Sequence, residues 1–324
     1  MKRTLGIASV ILSLSALGIL LSVESAPTAE YPARPITLVL GYPAGGSSDA
    51  MTRPLAEAAG KILRQPIVIL NKPGAGSAIS LVQVKNEKPD GYTLGYLPGS
   101  GILIPHTQKA SYDLLKDFTF IIKYADAPLG LTVRSDSPWK TMQDLINYVK
   151  ANPGKVKYSS PGTGTVLHIA MESLAKEVGL KWVHVSHKGG ADALTAILGK
   201  HVDAFASGVD WKPHVDSGEL RLLVTFGPKR SKMFPDTPTF IDLGYKTWVA
   251  SIGAIIAPSG LPAPIAKKLH DAFKEAMNSP EYLQVTKNLH VEISYSDPEN
   301  LIKEIKALDE QFARAAKDLG LKKE

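Results

Sequence analysis

After an apolar N-terminal stretch, two hydrophobic periods take turns along the chain. Short runs rich in β-branched residues at 36–40, 67–70 and 93–97 predict strands. Between them, 49–63 and the segment ending near Asn86 carry apolar residues at helical spacing. Turn residues punctuate the exchange: Gly45 and Gly46 after the first strand, Pro73-Gly74-Ala75-Gly76 after the second, and Pro89-Asp90-Gly91 before the third. Strands separated by helices and joined by short loops predict a mostly parallel sheet covered by helices on both faces, with right-handed connections.

The alternation restarts in the middle of the chain. Residues 129–133, 157–159, 183–185, 202–206 and 220–225 read as strands, and 141–150, 166–178 and 191–198 as helices. The helix at 166–178 places Val166, Ile169, Ala170, Leu174 and Val178 on one stripe. Pro235 and Pro238 break the pattern, and a last strand at 252–257 leads into two surface-type helices at 264–278 and 297–319. The pattern reads as two α/β domains with a ligand cleft between them. Domain 1 is discontinuous, 26–123 plus 250–324, and domain 2 spans 124–249. The chain would cross between them near 123–127 and 248–252, and two crossing segments make a hinge that permits closure while restricting twist.

The apolar N-terminus has its own logic. Lys2 and Arg3 precede an uncharged run from Leu5 to Leu21, and small residues follow, the order of a secretory signal peptide. The run lies at the short end of the ~17–25 residues a spanning helix needs, so cleavage after Ser25 is expected, with residues 1–25 removed. The chain has no cysteine, which excludes a lipoprotein anchor and disulfides. A core drawn from 44% hydrophobic residues makes such staples unnecessary at this size. The formal charge of +6 raises nucleic acid as a partner. Lys and Arg, however, stand singly or in pairs such as Lys229/Arg230 and Lys267/Lys268, with acids nearby and no aromatic-basic interleaving. No nucleic-acid partner is expected.

Three loops carry the candidate chemistry. Tyr42-Pro43-Ala44-Gly45-Gly46-Ser47-Ser48-Asp49 joins a strand end to a helix start, Lys72-Pro73-Gly74-Ala75-Gly76-Ser77 does so one unit later, and Ser160-Pro161-Gly162-Thr163-Gly164-Thr165 does so in the second domain. Glycine lets backbone N–H groups turn toward a ligand, and the first N–H groups of a helix lack internal partners and carry the positive end of its dipole. Such loops at the carboxyl ends of parallel strands form an anion site. Asp49 is expected to cap its helix.

Catalytic patterns are missing. Gly74–Ile79 and Gly162–Leu167 begin like a dinucleotide fingerprint but lack its third glycine, and no loop ends in Gly-Lys-Ser/Thr. There is no Gly-x-Ser-x-Gly elbow and no His-Glu-x-x-His. His184 and His187 stand without a third ligand for a metal, and His168 reads as a packed or hydrogen-bonded histidine. The expectation is a binding protein with no catalytic residue, no metal and no cofactor. A hydrolase would show turnover of esters, and a sensing or protein-interaction module of the same fold would show no stabilisation by small ligands.

Segments 31–35, 42–49, 71–76, 89–94, 160–168, 184–189, 235–244 and 257–262 together resemble the receptors of tripartite tricarboxylate transporters, also called Bug receptors. The resemblance implies a type II periplasmic-binding fold, a periplasmic location, monomeric action and delivery of a small carboxylate (a di- or tricarboxylate or an aromatic acid) to a membrane permease. It also implies that the first two loops grip the near carboxylate, through Ala44, Gly45, Gly46, Ser48, Asp49, Gly74, Ala75 and Gly76. Thr163, Gly164 and Thr165 would contribute from the second domain, with Tyr42, Ser47 and Ser207 completing the expected site. The chain departs from the family pattern in three places. Val185-Ser186-His187-Lys188-Gly189 replaces Val-Pro-Tyr-Lys-Gly. Ser207 stands where an acid often follows the buried strand, and Ser251 where Trp is frequent.

Overall fold

The computed structural model describes residues 30–126 and 128–321. The segment expected to be a signal peptide lies outside them, and no helix among the described residues is long and apolar enough to cross a membrane.

Eleven strands form two sheets among these residues. They are β1 (Ile36–Leu40), β2 (Ile67–Asn71), β3 (Thr93–Pro98), β4 (Phe118–Asp126), β5 (Gly130–Arg134), β6 (Lys157–Ser160), β7 (Val183–Ser186), β8 (Ala204–Ser207), β9 (Leu220–Thr225), β10 (Ile252–Pro258) and β11 (Glu292–Ser296). The first sheet has the order β11-β4-β10-β3-β1-β2 and the second β7-β6-β8-β5-β9. The first is built from both ends of the described chain, and the chain changes sheets after Asp126 and again between Thr225 and Ile252.

Both sheets are mixed, which corrects the expectation of a mostly parallel arrangement. β2, β1 and β3 pair in parallel, but β10 runs antiparallel to both β3 and β4. In the second sheet β7, β6 and β8 are parallel and β5 is antiparallel to β8 and β9. The cause is the double crossing. A strand that returns from the other lobe enters its sheet from the hinge side, so it must run against the strands that head there. The parallel strands therefore end at the cleft, and the loops that follow β1, β2 and β6 face it.

Burial follows the period of two. Ile36, Leu38 and Leu40 point into a core with Tyr96, Ile122 and Phe273, while Val39 between them joins Leu81, Val84 and Leu97 on the opposite face. The long helix Ser47–Leu63 closes the first face with Met51, Leu55 and Ala59, and Pro298–Asp318 closes the other with Leu301, Ile305 and Phe312. The second core cluster continues into the other lobe through Val166, Ile169 and Leu174. Trp211 and Phe205 anchor a smaller cluster beneath β8.

Candidate functional site

The loop after β1 rises to the N-terminus of helix Ser47–Leu63, with Gly46 as its N-cap. Asp49 is not the cap; it sits three positions in, buried, and reaches back to accept the Gly45 N–H at 3.1 Å. It also accepts from Asn71 Nδ2 at 3.0 Å and pairs with Arg53, so it ties the first loop to the foot of the second. Burial alone would raise the Asp49 carboxyl, but the hydrogen bonds from Arg53, Asn71 and Gly45 hold it below the usual carboxylate range.

The free end of this helix is already engaged by an anion. Asp210, in the turn after β8, accepts the Ser47 N–H at 2.6 Å and the Ser47 hydroxyl at 3.1 Å. Its second oxygen also accepts from Ser207 Oγ at 2.6 Å. The packing is close: a Cβ on Gly190 would lie 2.4 Å from Asp210 Oδ2, so a larger residue there would push the Asp210 side chain aside. Next to this pair, Ser48 donates its hydroxyl to Tyr96 at 3.3 Å. Desolvation of the Tyr42 phenol, partly offset by a hydrogen bond with Ser100, pushes it up to about 12, so it stays a neutral donor.

From the other lobe comes the start of helix Val166–Val178. Thr165 caps it, accepting the His168 N–H and donating to the Gly162 carbonyl at 2.8 Å. The Gly164 N–H is taken by His168 Nδ1 at 3.2 Å, and the Thr163 N–H by Ser186 Oγ at 3.0 Å. His168 stacks on His184 at 4.3 Å, and His184 shares a 2.7 Å hydrogen bond with Ser160. Burial pushes His184 down to about 4, aided by the neighbouring His168 and His187, and burial also lowers His168. Neutral His168 is what an acceptor nitrogen requires. No group of three metal-ligating side chains exists among the described residues.

The second loop is the most strained. Ala75, Gly76 and Ser77 all have positive φ, at 45°, 59° and 88°, which costs energy at the two non-glycine positions. Gly76 is packed so tightly that a Cβ would meet Ile104 at 2.8 Å and Thr165 at 3.2 Å. The N–H groups of Gly74, Ala75 and Gly76 find no acceptor among the described residues.

These loops line two spaces. An inner cavity of about 50 Å³ is lined by Tyr42, Gly46, Ser47, Ser48, Thr165 and Ser207, together with Asp210 and Ser251. An outer recess of about 720 Å³ is lined by Gly74, Ala75, Gly76 and Thr163, with Gln108 and Lys188. Ala44 and Gly45 are exposed at the rim, Asp49 lies beneath the first loop, and the Gly164 N–H is turned toward His168. Sequence reasoning missed Asp210, Tyr96, Ser100 and Gln108. The signal available for Asp210 was an acid three residues beyond a buried strand of the second lobe. Ser100 accepts the Val166 N–H at 3.3 Å and Gln108 donates to the Thr163 carbonyl at 3.0 Å, so both join the lobes across the cleft.

Comparison with known proteins places this geometry. The profile described as "Tripartite tricarboxylate transporter family receptor" matches residues 51–321. A Cupriavidus necator protein, named from the gbd 5′ region, is 43% identical over 288 residues, covering 89% of this chain and 88% of that one. The solved periplasmic binding protein BugD superposes with a TM-score of 0.86 at 30% identity, over 91% of this chain and 100% of its own. MatC from Rhodopseudomonas palustris, solved with bound malate, gives 0.82 at 25% identity, over 88% of this chain and 99% of its own.

Proposed function

The chain belongs to the tripartite tricarboxylate transporter receptor family, and on that premise we propose that it is a monomeric periplasmic receptor that captures a small carboxylate and delivers it to a membrane permease. Membership makes it a solute-binding protein, not an enzyme.

The observation that supports a carboxylate is Asp210. Its side chain rests on the Ser47 N–H and hydroxyl at the positive end of a 17-residue helix, so this donor set accepts a carboxylate group as built. A ligand carboxylate takes this end of the cleft by displacing Asp210 from the Ser47 donors, with Tyr42, Gly46, Ser47, Ser48, Thr165 and Ser207 around it. The unpartnered N–H groups of Gly74, Ala75 and Gly76, with Thr163, guide it at the mouth. MatC, with its bound malate, is a relative whose ligand has the same chemistry.

The test is a melting screen of mono-, di- and tricarboxylates and aromatic acids against their methyl esters. At ~100 times its Kd an acid stabilises the fold by about 2.7 kcal/mol, a rise of a few degrees in Tm. The matching ester should give none, since charge-assisted hydrogen bonds contribute roughly 1.5–3 kcal/mol each. Equal shifts for acid and ester would overturn the carboxylate reading.

A further inference from the structure

The inner cavity is too small to hold a whole ligand. About 50 Å³ takes a carboxylate head or a few waters. A much larger space of about 580 Å³ lies directly behind it, within the range of small-molecule pockets. Leu129 and Ser251 line both, so the two spaces meet at those two residues. Leu129 is buried, and Ser251 contributes no more than a hydroxymethyl group there.

The rear pocket has the character of a tail site. Its floor is Leu129, Trp248, Val249, Ile252 and Leu308. Five of the seven charged groups on its walls have a partner, and Lys229 and Lys232, both exposed, have no ion pair among the described residues. Lys123 bridges Asp126 at 2.9 Å and Glu304 at 2.8 Å, and Arg230 pairs with Asp242 at 2.8 Å. Glu292 accepts from the Ser231 hydroxyl and the Lys232 N–H. One polar atom on the wall is unmatched: Thr225 is 2% exposed, and its hydroxyl has no hydrogen-bond partner. A buried hydroxyl without a partner is costly and points to an occupant or a water that supplies one.

Resting on the carboxylate reading above, we propose that the ligand's body passes between Leu129 and Ser251 into this rear pocket, so that the receptor selects a carboxylate with an extended apolar body over a compact polyacid. The carboxylate stays with the helix start at Ser47. The apolar body lies against Trp248 and Leu308, while Lys229 and Lys232 stand at exposed positions on the wall. Because the pocket wall includes Asp126 and Leu129 on one crossing of the chain and Trp248–Ile252 on the other, an occupant touches both hinge segments.

The experiment titrates the protein with propanoate, hexanoate, octanoate and 4-phenylbutanoate, and with malate, by calorimetry and by tryptophan emission. Affinity should rise roughly fourfold per added methylene until the pocket is full, with an emission change that Trp248→Phe removes. Leu308→Trp, at a residue that lines the rear pocket and not the inner cavity, should leave propanoate binding unchanged and erase the gain with length. If that variant fails to fold, the chain-length series with the Trp248 signal in the unmodified protein decides alone. Binding of malate and propanoate without any gain from octanoate, or a gain that survives in Leu308→Trp, would overturn the tail pocket and leave the carboxylate reading standing. Binding of no acid at all would overturn both.

Discussion

Asp210 occupies the donors that a ligand carboxylate would seek, and two anions cannot share the Ser47 N–H and hydroxyl. Replacing Asp210 with Ala removes the resident anion and the repulsion a second carboxylate would feel within a few ångströms. Affinity for a bound acid should then rise tenfold or more, about 1.4 kcal/mol, measured by calorimetry. Weaker binding would mean that Asp210 instead accepts a donor group carried by the ligand. Histidine sets a second residue-scale expectation. His184 titrates at about 4 in the folded protein, because burial disfavours its charge, against ~6.5 in an unfolded chain. Below pH 6.5 the unfolded chain therefore binds a proton that the folded one refuses, and stability falls as pH drops toward 4. The urea midpoint should be lower at pH 5 than at pH 7, and His184→Gln should flatten that difference. An equal loss in both proteins would put the pH dependence elsewhere.

Helix starts were the most legible elements, and they show where legibility stops. The helix Val166–Val178 has the bounds its apolar stripe predicts, and β9 likewise, because periodicity and flanking turn residues agree there. The helix Gly99–Thr107 went unread: two glycines and Pro105 contradict local propensity, and only its burial against Leu81 and Leu97 keeps it helical. β4 reads locally as a crossing segment because Lys123 and Asp126 interrupt its apolar run, yet their pairing with each other and with Glu304 makes them compatible with a strand. At the site, the glycine loops were legible, but the left-handed conformations of Ala75 and Ser77 were not, since neither residue favours them. Asp210 could not be assigned from spacing either, because its partner Ser47 is 163 residues away. Thr165 offers the element-scale test. As an N-cap that is 1% exposed and also donates to Gly162, it should cost ~1 kcal/mol on change to Ala, read from the denaturation midpoint at constant m. A neutral result would mean the third loop holds its shape without the cap.

At the cleft itself few polar contacts join the lobes, beside the Ser231–Glu292 and Lys176–Asp318 hydrogen bonds and the core they share at Val166. Across the cleft run the Ser47–Asp210 pair, the Val166 N–H to Ser100 and the Gln108 to Thr163 carbonyl hydrogen bonds. The two neutral bonds contribute only ~0.5–1.5 kcal/mol each once water competes for the same groups, and those to the Asp210 carboxylate roughly 1.5–3. Set against them is the freedom regained when two lobes joined by two chain crossings swing apart. The closed and open forms should therefore lie within a few kcal/mol, a gap that a ligand contacting both lobes can shift by its differential affinity. Each lobe presents a helix start to the same cavity, and donors on both sides engage a carboxylate only when the lobes are closed. Small-angle scattering should then show a larger radius of gyration without ligand than with a saturating acid, on molecules that exchange in μs–ms. Gln108→Ala should enlarge the ligand-free form further and leave the saturated form unchanged, because the ligand supplies the missing adhesion. Identical profiles with and without a bound acid would mean that the cleft is preformed and that the double crossing serves as a rigid strut instead of a hinge.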